Sequence, residues 1–402
     1  MKQSMSQSAH WSRRRFVQSL GYSSLLGAAN LHAGRLLSNE HGLVEDISQT
    51  EPRFAYVGSM IQGIMAFAIE GESWRLIETI ASEKPSALAL HPDRNILFAI
   101  NEIDTYQTLP TGSVESYRID AQHGNLTLIS RQPLSLSATL PKHVAVSPDG
   151  RHLIVAVHGG GAYNILPINS NGRLGRVSGI LKETGSGPDR ENQEAAHPQW
   201  VMFDTTYHLL SADLGNDRLS VFNLIEGRMS PTQRIATKPG SGPQCLAIHP
   251  SGQLLYAVNK LDTSLSCFRY DATSGKIIET LHHKSTSTMR IPGEARATAI
   301  AIHSSGDFLY TPYFRSGINR PVDTCIAVWR IHTSSGEPEH IQTFECMGHT
   351  CIVSLTSQHR HLFLLCHRED GVFRCDINPV NGHLHRMIPV GEAPSPASLA
   401  MI

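Results

Sequence analysis

One spacing recurs six times along the chain and restricts the fold more than any other feature. Pro92 in "LALHPDRNILFAIN", Pro148 in "VAVSPDGRHLIVAVH", Asp204 in "VMFDTTYHLLSADL", Pro250 in "LAIHPSGQLLYAVN", Ser304 in "IAIHSSGDFLYTPY" and Ser357 in "VSLTSQHRHLFLLCH" occupy one aligned position. Five residues after each stands a leucine: Leu97, Leu153, Leu209, Leu255, Leu309 and Leu362. The intervals between aligned positions are 56, 56, 46, 54 and 53 residues. A second pattern follows each copy: an alternating strand, a turn with glycine, and another strand, as in "AYNILPINSNGRLGRV" and "SLSCFRYDATSGKIIETL". Alternation of apolar and polar residues predicts strands with one face in a core.

Each unit therefore holds about four short strands, and such a unit cannot bury its faces without stacked neighbours. Four-stranded units at this period predict an all-β fold, a seven-bladed β-propeller. Seven second halves accompany six complete first halves. The missing half is shared by the ends: "APSPASLAMI" (393–402) resembles "KPSALALHP" (84–92), and "RFAYVGS" (53–59) supplies the next strand. One blade is thus expected to be built from both termini, which leaves no unpaired edge where the ring closes. A solenoid would instead need capping ends.

Composition fits this architecture. Charged residues make up only 17%, while glycine (32) and proline (22) are plentiful, which favours short strands and tight turns. Lys plus Arg (34) and Asp plus Glu (35) nearly balance, so no basic footprint for nucleic acid exists. No apolar run has the length of a membrane span. The seven cysteines form no CxxC pair and read as small buried apolar residues. The 22 histidines include no HxxxH or HExxH, so no metal and no cofactor are expected.

The first residues read differently. "SRRRFVQSLGYSSLLGAANLHAG" carries Arg13 and Arg14, then Phe16, then a short, moderately apolar stretch from Leu20 to Ala29. It resembles a twin-arginine export signal and is too short for an anchor. The expected organisation is a signal over 1–34, a linker over 35–52 and the propeller over 53–402. The expected location is periplasmic or extracellular.

Several segments resemble the seven-bladed lactonase family: "PKHVAVSPDGRHLIVAVHGGG", "GPQCLAIHPSGQLLYAVNKLDTSLSCFRYDATSGKI", "GEAPSPASLAMI" and "GPDRENQEAAHPQ". The resemblance runs from about residue 53 to the C-terminus. It implies an inner-channel site at one mouth of the ring, and a sugar lactone or sugar acid as ligand. It also implies a catalytic set of a His, two Arg and a Glu. This sequence departs at all four positions. The His position of "HPH" is Gln199 in "HPQ", and the Arg of "GPRH" is Gln244 in "GPQC". The Glu of "VNEL" is Lys260 in "VNKL". Phe314 stands in register for the second Arg, with Arg315 one residue later. Glutamine takes up no proton at neutral pH, and lysine for glutamate reverses a charge, so the family's acid–base scheme does not transfer unmodified.

The repeat itself predicts two rings of residues at that mouth. One follows the start of each inner strand: Ser86, Lys142, Gln199, Gln244, Thr298, Cys351 and Ser395. The other lies ten residues beyond each aligned position: Glu102, His158, Leu214, Lys260, Phe314 and His367. From these, His158, His197, Lys260 and Glu102 are the candidate catalytic residues. Gln199, Gln244, Arg315, Lys142 and His367 are the candidate binding residues. Glu194 and Arg368 lie in the same region. Lys260 could hold an anion, and His158 or His197 could act as a base. "HGGG" at 158–161 is readable as an oxyanion loop or as a plain turn, and no GxSxG nucleophile elbow occurs. The segments "NEIDTYQTLPTGS" and "FRSGINRPVDT" are expected to be extended loops shaping a pocket. Two functions stay open. One is an exported lactonase with a substituted catalytic set. The other is a non-catalytic propeller holding a sugar acid or a protein partner on that face.

Overall fold

The structure is a computed structural model that describes residues 52–92, 95–286, 295–317, 320–346, 350–355, 360–366 and 370–402. The expected signal lies outside the described residues. The described part forms seven antiparallel sheets and contains no helix. Numbered from the innermost strand outward, blade 1 comprises Pro85–Leu90, Ile96–Asn101, Ser113–Ile119 and Leu126–Pro133. Blade 2 comprises Pro141–Val146, His152–Val157, Ala162–Pro167 and Gly179–Lys182. Blade 3 comprises Pro198–Phe203, Leu209–Asp213, Arg218–Ile225 and Arg228–Ala236. Blade 4 comprises Pro243–Ile248, Leu254–Asn259, Ser264–Asp271 and Lys276–Ser285. In blade 5 the inner strand is split into Ala295–Ala297 and Ala301–Ile302, followed by Phe308–Gly317, Arg320–His332 and Glu337–Cys346. Blade 6 comprises Thr350–Leu355, His361–Cys366, Gly371–Ile377 and Leu384–Glu392. Blade 7 takes its inner strand, Pro396–Met401, from the C-terminus and the others, Phe54–Ser59, Gly63–Glu70 and Ser73–Ile80, from the beginning of the described chain. Each inner strand touches those of the blades on either side, and the ring closes.

The stacking explains the leucine spacing. All six repeated leucines are 0% exposed on second strands. Those strands do not alternate. Ile96–Asn101 and Leu254–Asn259 are buried at every position, because neighbouring blades cover both faces. Alternation survives at the rim, as in Arg228–Ala236, where one face meets water. Seven apolar clusters fill the seven interfaces, one for each pair of adjacent blades. Truncating one such leucine to alanine typically costs about 2–5 kcal/mol.

Polar groups in these interfaces are satisfied across blades. The hydroxyls of Tyr56, Tyr256 and Tyr310 donate to the carbonyls of Gly124, Gly336 and Gly382, at 3.0, 2.8 and 3.0 Å. Each acceptor is the glycine of the outer hairpin turn in the following blade. Gly124 and Gly382 have φ of +79° and +73°, and a Cβ there would strike Phe54 and Phe308 of the blade behind. The turn glycine is needed both for its backbone conformation and for this close approach. Asp204, at one of the aligned positions, is buried; it accepts from the amides of Thr206 and His208 and, across the interface, from the hydroxyl of Tyr270.

Two expectations about the loops resolve differently. The segment 102–112 is a loop, pinched by a bridge between Tyr106 and Leu109. The described residues of the segment 314–324 are no loop: their backbone prolongs two strands of blade 5, paired as far as Gly317 with Arg320. Polar residues there continue the ladder because a pair of long strands supplies its own backbone partners.

Candidate functional site

The mouth where inner strands begin is built by a repeated backbone device. The amides of Glu102, His158, Leu214, Lys260 and Met60 each donate to the carbonyl of the residue before the inner-strand proline. Those acceptors are Lys84, Leu140, His197, Gly242 and Ser395, at 3.0, 3.3, 3.2, 2.8 and 3.0 Å. The pairing register then slips by one residue at Ser86, Lys142, Gln199, Gln244, Cys351 and Ala397. A bulge of this kind leaves the extra residue out of the ladder and re-aims its side chain. In blade 5, Thr298 sits in the gap between the two inner segments. Six of the seven expected ring positions therefore agree with the register. The seventh is Ala397, two residues after the expected Ser395, because Ser395 is the residue before the proline and holds a positive φ of 46°.

Blades 1 to 4 bring most candidates together. Lys142 and Glu102 form a partly buried ion pair between blades 2 and 1. His158 follows the second strand of blade 2, and its ring stacks on that of His197, with centroids 4.1 Å apart and planes at 21°. The side-chain amide nitrogen of Gln199 lies 2.7 Å from Nδ1 of His158 and 3.2 Å from the carbonyl oxygen of His197. Nδ1 of His197 contacts the carbonyl oxygen of His158 at 3.0 Å, and its Nε2 contacts Glu194 Oε1 at 3.0 Å. His158, His197 and Gln199 thus form one interlocked unit. Burial drives the His158 imidazole down to about 4, helped by the positive charges of His197, Lys142 and Lys260 and opposed by Glu194. Lys260, from blade 4, also faces the buried Cys245 thiol, which burial lifts to about 12. Gln244 donates weakly to the carbonyl of Thr298 at 3.4 Å, and its Oε1 is buried without a protein partner.

Arg315 lies in the second strand of blade 5, paired with Ala295 and Asp323, and its side chain is outside the described residues. His367 also lies outside them. "HGGG" packs as a tight connection: a Cβ at Gly159 or Gly160 would strike the backbone of Thr139 or Ser137. Its glycines therefore meet a close approach of chain, which the sequence alone left open.

Two supports escaped the sequence. Asp213 is buried, and its Oδ1 accepts the amides of His197 and Gly215 at 2.7 and 3.0 Å. Burial lifts its carboxyl to about 6, against the pull of those amides. Gln193, 0% exposed, donates to the carbonyl of Leu214 at 2.7 Å and pins the segment 183–197. The polar stretch around each residue hid these roles, since the pairings of Asp213 with His197 and of Gln193 with Leu214 are not local in sequence. Below the mouth, His143 stacks on Trp200 at 3.6 Å, and burial holds its imidazole near 3. No cluster of metal-ligating side chains occurs among the described residues.

Fold and site together define a seven-bladed β-propeller with a polar cluster at one channel mouth, lined by two lysines, a glutamate and a stacked histidine pair. Residues 54–401 match the family described as "Lactonase, 7-bladed beta-propeller", and the chain belongs to that family. It is 26% identical over 301 residues to a 6-phosphogluconolactonase of Bacillus subtilis, covering 73% of this chain and 82% of that one. It is 27% identical over 273 residues to a 6-phosphogluconolactonase of Formosa agariphila, covering 66% and 73%. Its fold superposes on a periplasmic gluconolactonase of Pseudomonas aeruginosa with a TM-score of 0.76, at 22% identity, over 87% of this chain and 98% of that one. A protein from Lactobacillus plantarum superposes with a TM-score of 0.77, at 19% identity, over 87% and 99%.

Proposed function

We propose that the protein hydrolyses a sugar lactone or a similar cyclic ester at this mouth, with a catalytic set substituted relative to its family. Family membership over residues 54–401 carries the proposal. The chemistry needs a polarised carbonyl, an activated water and a proton for the departing ring oxygen. Water oxygen adds to the carbonyl carbon, an electron pair moves onto the carbonyl oxygen, and the ring C–O bond then breaks. The ring oxygen takes a proton, and the sum is one water added. Lys142 and Lys260 supply positive charge and His158 a neutral donor, suited to the developing oxyanion and to the carboxylate product. Glu102, held by Lys142, is the carboxylate offered to the attacking water.

The experiment is turnover of a panel of phosphorylated and unphosphorylated aldonolactones by the protein beside Lys260→Ala and His158→Ala. Turnover well above the spontaneous rate is expected, falling by roughly 10²-fold or more in either variant that keeps the wild-type melting curve. Background rates across the panel would sink the proposal. A sugar acid that raised the melting temperature without any turnover would favour a binding propeller instead.

We also propose that residues 1–34 direct export of the folded protein. The pair Arg13 and Arg14, followed by Phe16 and the short apolar stretch from Leu20 to Ala29, supports this reading. Replacing Arg13 and Arg14 together by lysine is expected to retain the protein inside the cell. Unchanged delivery in fractionated cells would reject the leader.

A further inference from the structure

The interlocked unit of His158, His197 and Gln199 fixes where protons sit. The carbonyl oxygen of His197 can only accept, and it already takes the amide of Leu214 at 3.2 Å. The side-chain group of Gln199 that lies 3.2 Å from it must be the NH2 end. That same nitrogen lies 2.7 Å from Nδ1 of His158, so Nδ1 accepts and carries no proton. The proton of the neutral ring then belongs on Nε2, for which no partner occurs among the described residues. Both ring nitrogens of His197 are engaged within the cluster, by the carbonyl of His158 and the carboxylate of Glu194, so neither is turned to water.

We propose that His158 is a fixed neutral donor whose Nε2–H binds the carbonyl oxygen of a lactone, or a carboxylate oxygen of a sugar acid, and that Gln199 is the positioning residue that sets this tautomer. Neither histidine serves as the base. The inference rests on the lactone-opening reading for its substrate, but not for its proton arrangement. It also gives a reason for glutamine at this position. A carboxylate there would draw the proton to Nδ1, and a hydrocarbon would leave the tautomer unset. A neutral donor suits an oxygen that gains negative charge, since it stabilises the charge by hydrogen bonding and keeps its proton throughout.

The groups facing His158 agree with a neutral ring. His197 stacks on it, Lys142 approaches from its own blade's inner strand and Lys260 from blade 4, all of them cationic or able to become so; Glu194 of the segment 183–197 opposes them. With the ring held near 4, the donor persists unchanged from pH 8 down to about 5. An ordinary imidazole, titrating near 6.5, would be half charged within that window.

The experiment is long-range 1H–15N correlation on the histidine-labelled protein, with His158→Asn assigning the resonance. At pH 7 the expected pattern is a bare Nδ1 and a protonated Nε2, with no titration above about pH 5. Gln199→Glu is expected to move the proton to Nδ1 or to charge the ring, and to lower lactone turnover by roughly 10²-fold. Gln199→Leu is expected to give a mixture of tautomers and a smaller loss. Adding D-gluconate should shift the Nε2 resonance in the wild type and not in Gln199→Glu. A protonated Nδ1 in the wild type, or a pattern that Gln199→Glu leaves unchanged, overturns the arrangement. A tautomer that flips without change in turnover or in the gluconate response overturns the donor role. If no lactone is turned over but gluconate still shifts Nε2, the hydrolase reading fails and the donor stands.

Discussion

Deleting residues 396–402 is expected to abolish cooperative folding. The deletion removes the inner strand of blade 7, which pairs with Phe54–Ser59 from Ala55 with Met401 to Ser59 with Pro396. Leu399, Ala400 and Met401 are buried, and two interface clusters lose members with them. Each large side chain contributes about 2–5 kcal/mol. The abandoned strand then exposes a ladder of unpaired backbone groups beside Tyr56 and Val57. Together these losses rival the whole stability of a typical domain, about 5–15 kcal/mol. The truncated chain should lose its near-ultraviolet circular dichroism and its sharp melting transition, and become sensitive to protease throughout. A cooperative melt within a few degrees of the full chain would show that six blades and a fragment suffice.

Gly215→Ala is expected to be the most damaging small substitution near the mouth. A Cβ at Gly215 would lie 1.9 Å from the carbonyl oxygen of Ala195 and 2.7 Å from the amide of His197, and both contacts are backbone. No side chain can swing aside, so the segment before blade 3 must move. That movement breaks the hydrogen bonds from the His197 and Gly215 amides to Asp213 and leaves its buried carboxylate with the Asn216 amide alone. A cost of about 3–5 kcal/mol follows from the overpacking and the two lost hydrogen bonds to a buried charge. The control is Gly71→Ala, where φ is +64° but nothing lies within 4 Å, so about 1 kcal/mol is expected. Urea denaturation of both variants reads the difference. Equal midpoints would mean that the segment 183–197 yields easily. Gly215→Ala should also disturb the His158–His197 stack, visible as altered histidine resonances.

The architecture was legible because every blade repeats one packing problem. A leucine five residues past the aligned position is buried in all six copies, and the split of blade 7 followed from counting half-units. The full burial of the second strands was not visible as alternation, because a strand between two blades has no solvent face. The candidate site was partly legible. Glu102, Lys142, His158, His197, Gln199 and Lys260 gather at the mouth because the repeat places them at matching heights. The sequence points to Ser395 where the register has Ala397, since Pro394 and Pro396 both offer themselves as the inner-strand proline. Asp213 and Gln193 were invisible, because each satisfies backbone groups of a connecting segment rather than following the repeat. Gln199 reads in the sequence as a lost histidine. Only the distances to His158 and His197 give it a use.

The shared blade has a bearing on how a cell makes the protein. A ribosome delivers Phe54–Ser59 before the strands of the other six blades and Pro396–Met401 after them, so the blade begun first is finished last. Throughout synthesis the nascent chain carries an open edge, a template for pairing with other chains. Shielding by a chaperone would therefore matter until Pro396–Met401 emerges. The seam that then forms lies directly beside the start of the described chain, where the amides of Arg53 and Phe54 donate to the carbonyl of Ile402 at 2.6 and 3.0 Å. Arg53 and Phe54 are thereby tied to the strand that closes the ring, and their backbone partners exist only once that strand is in place.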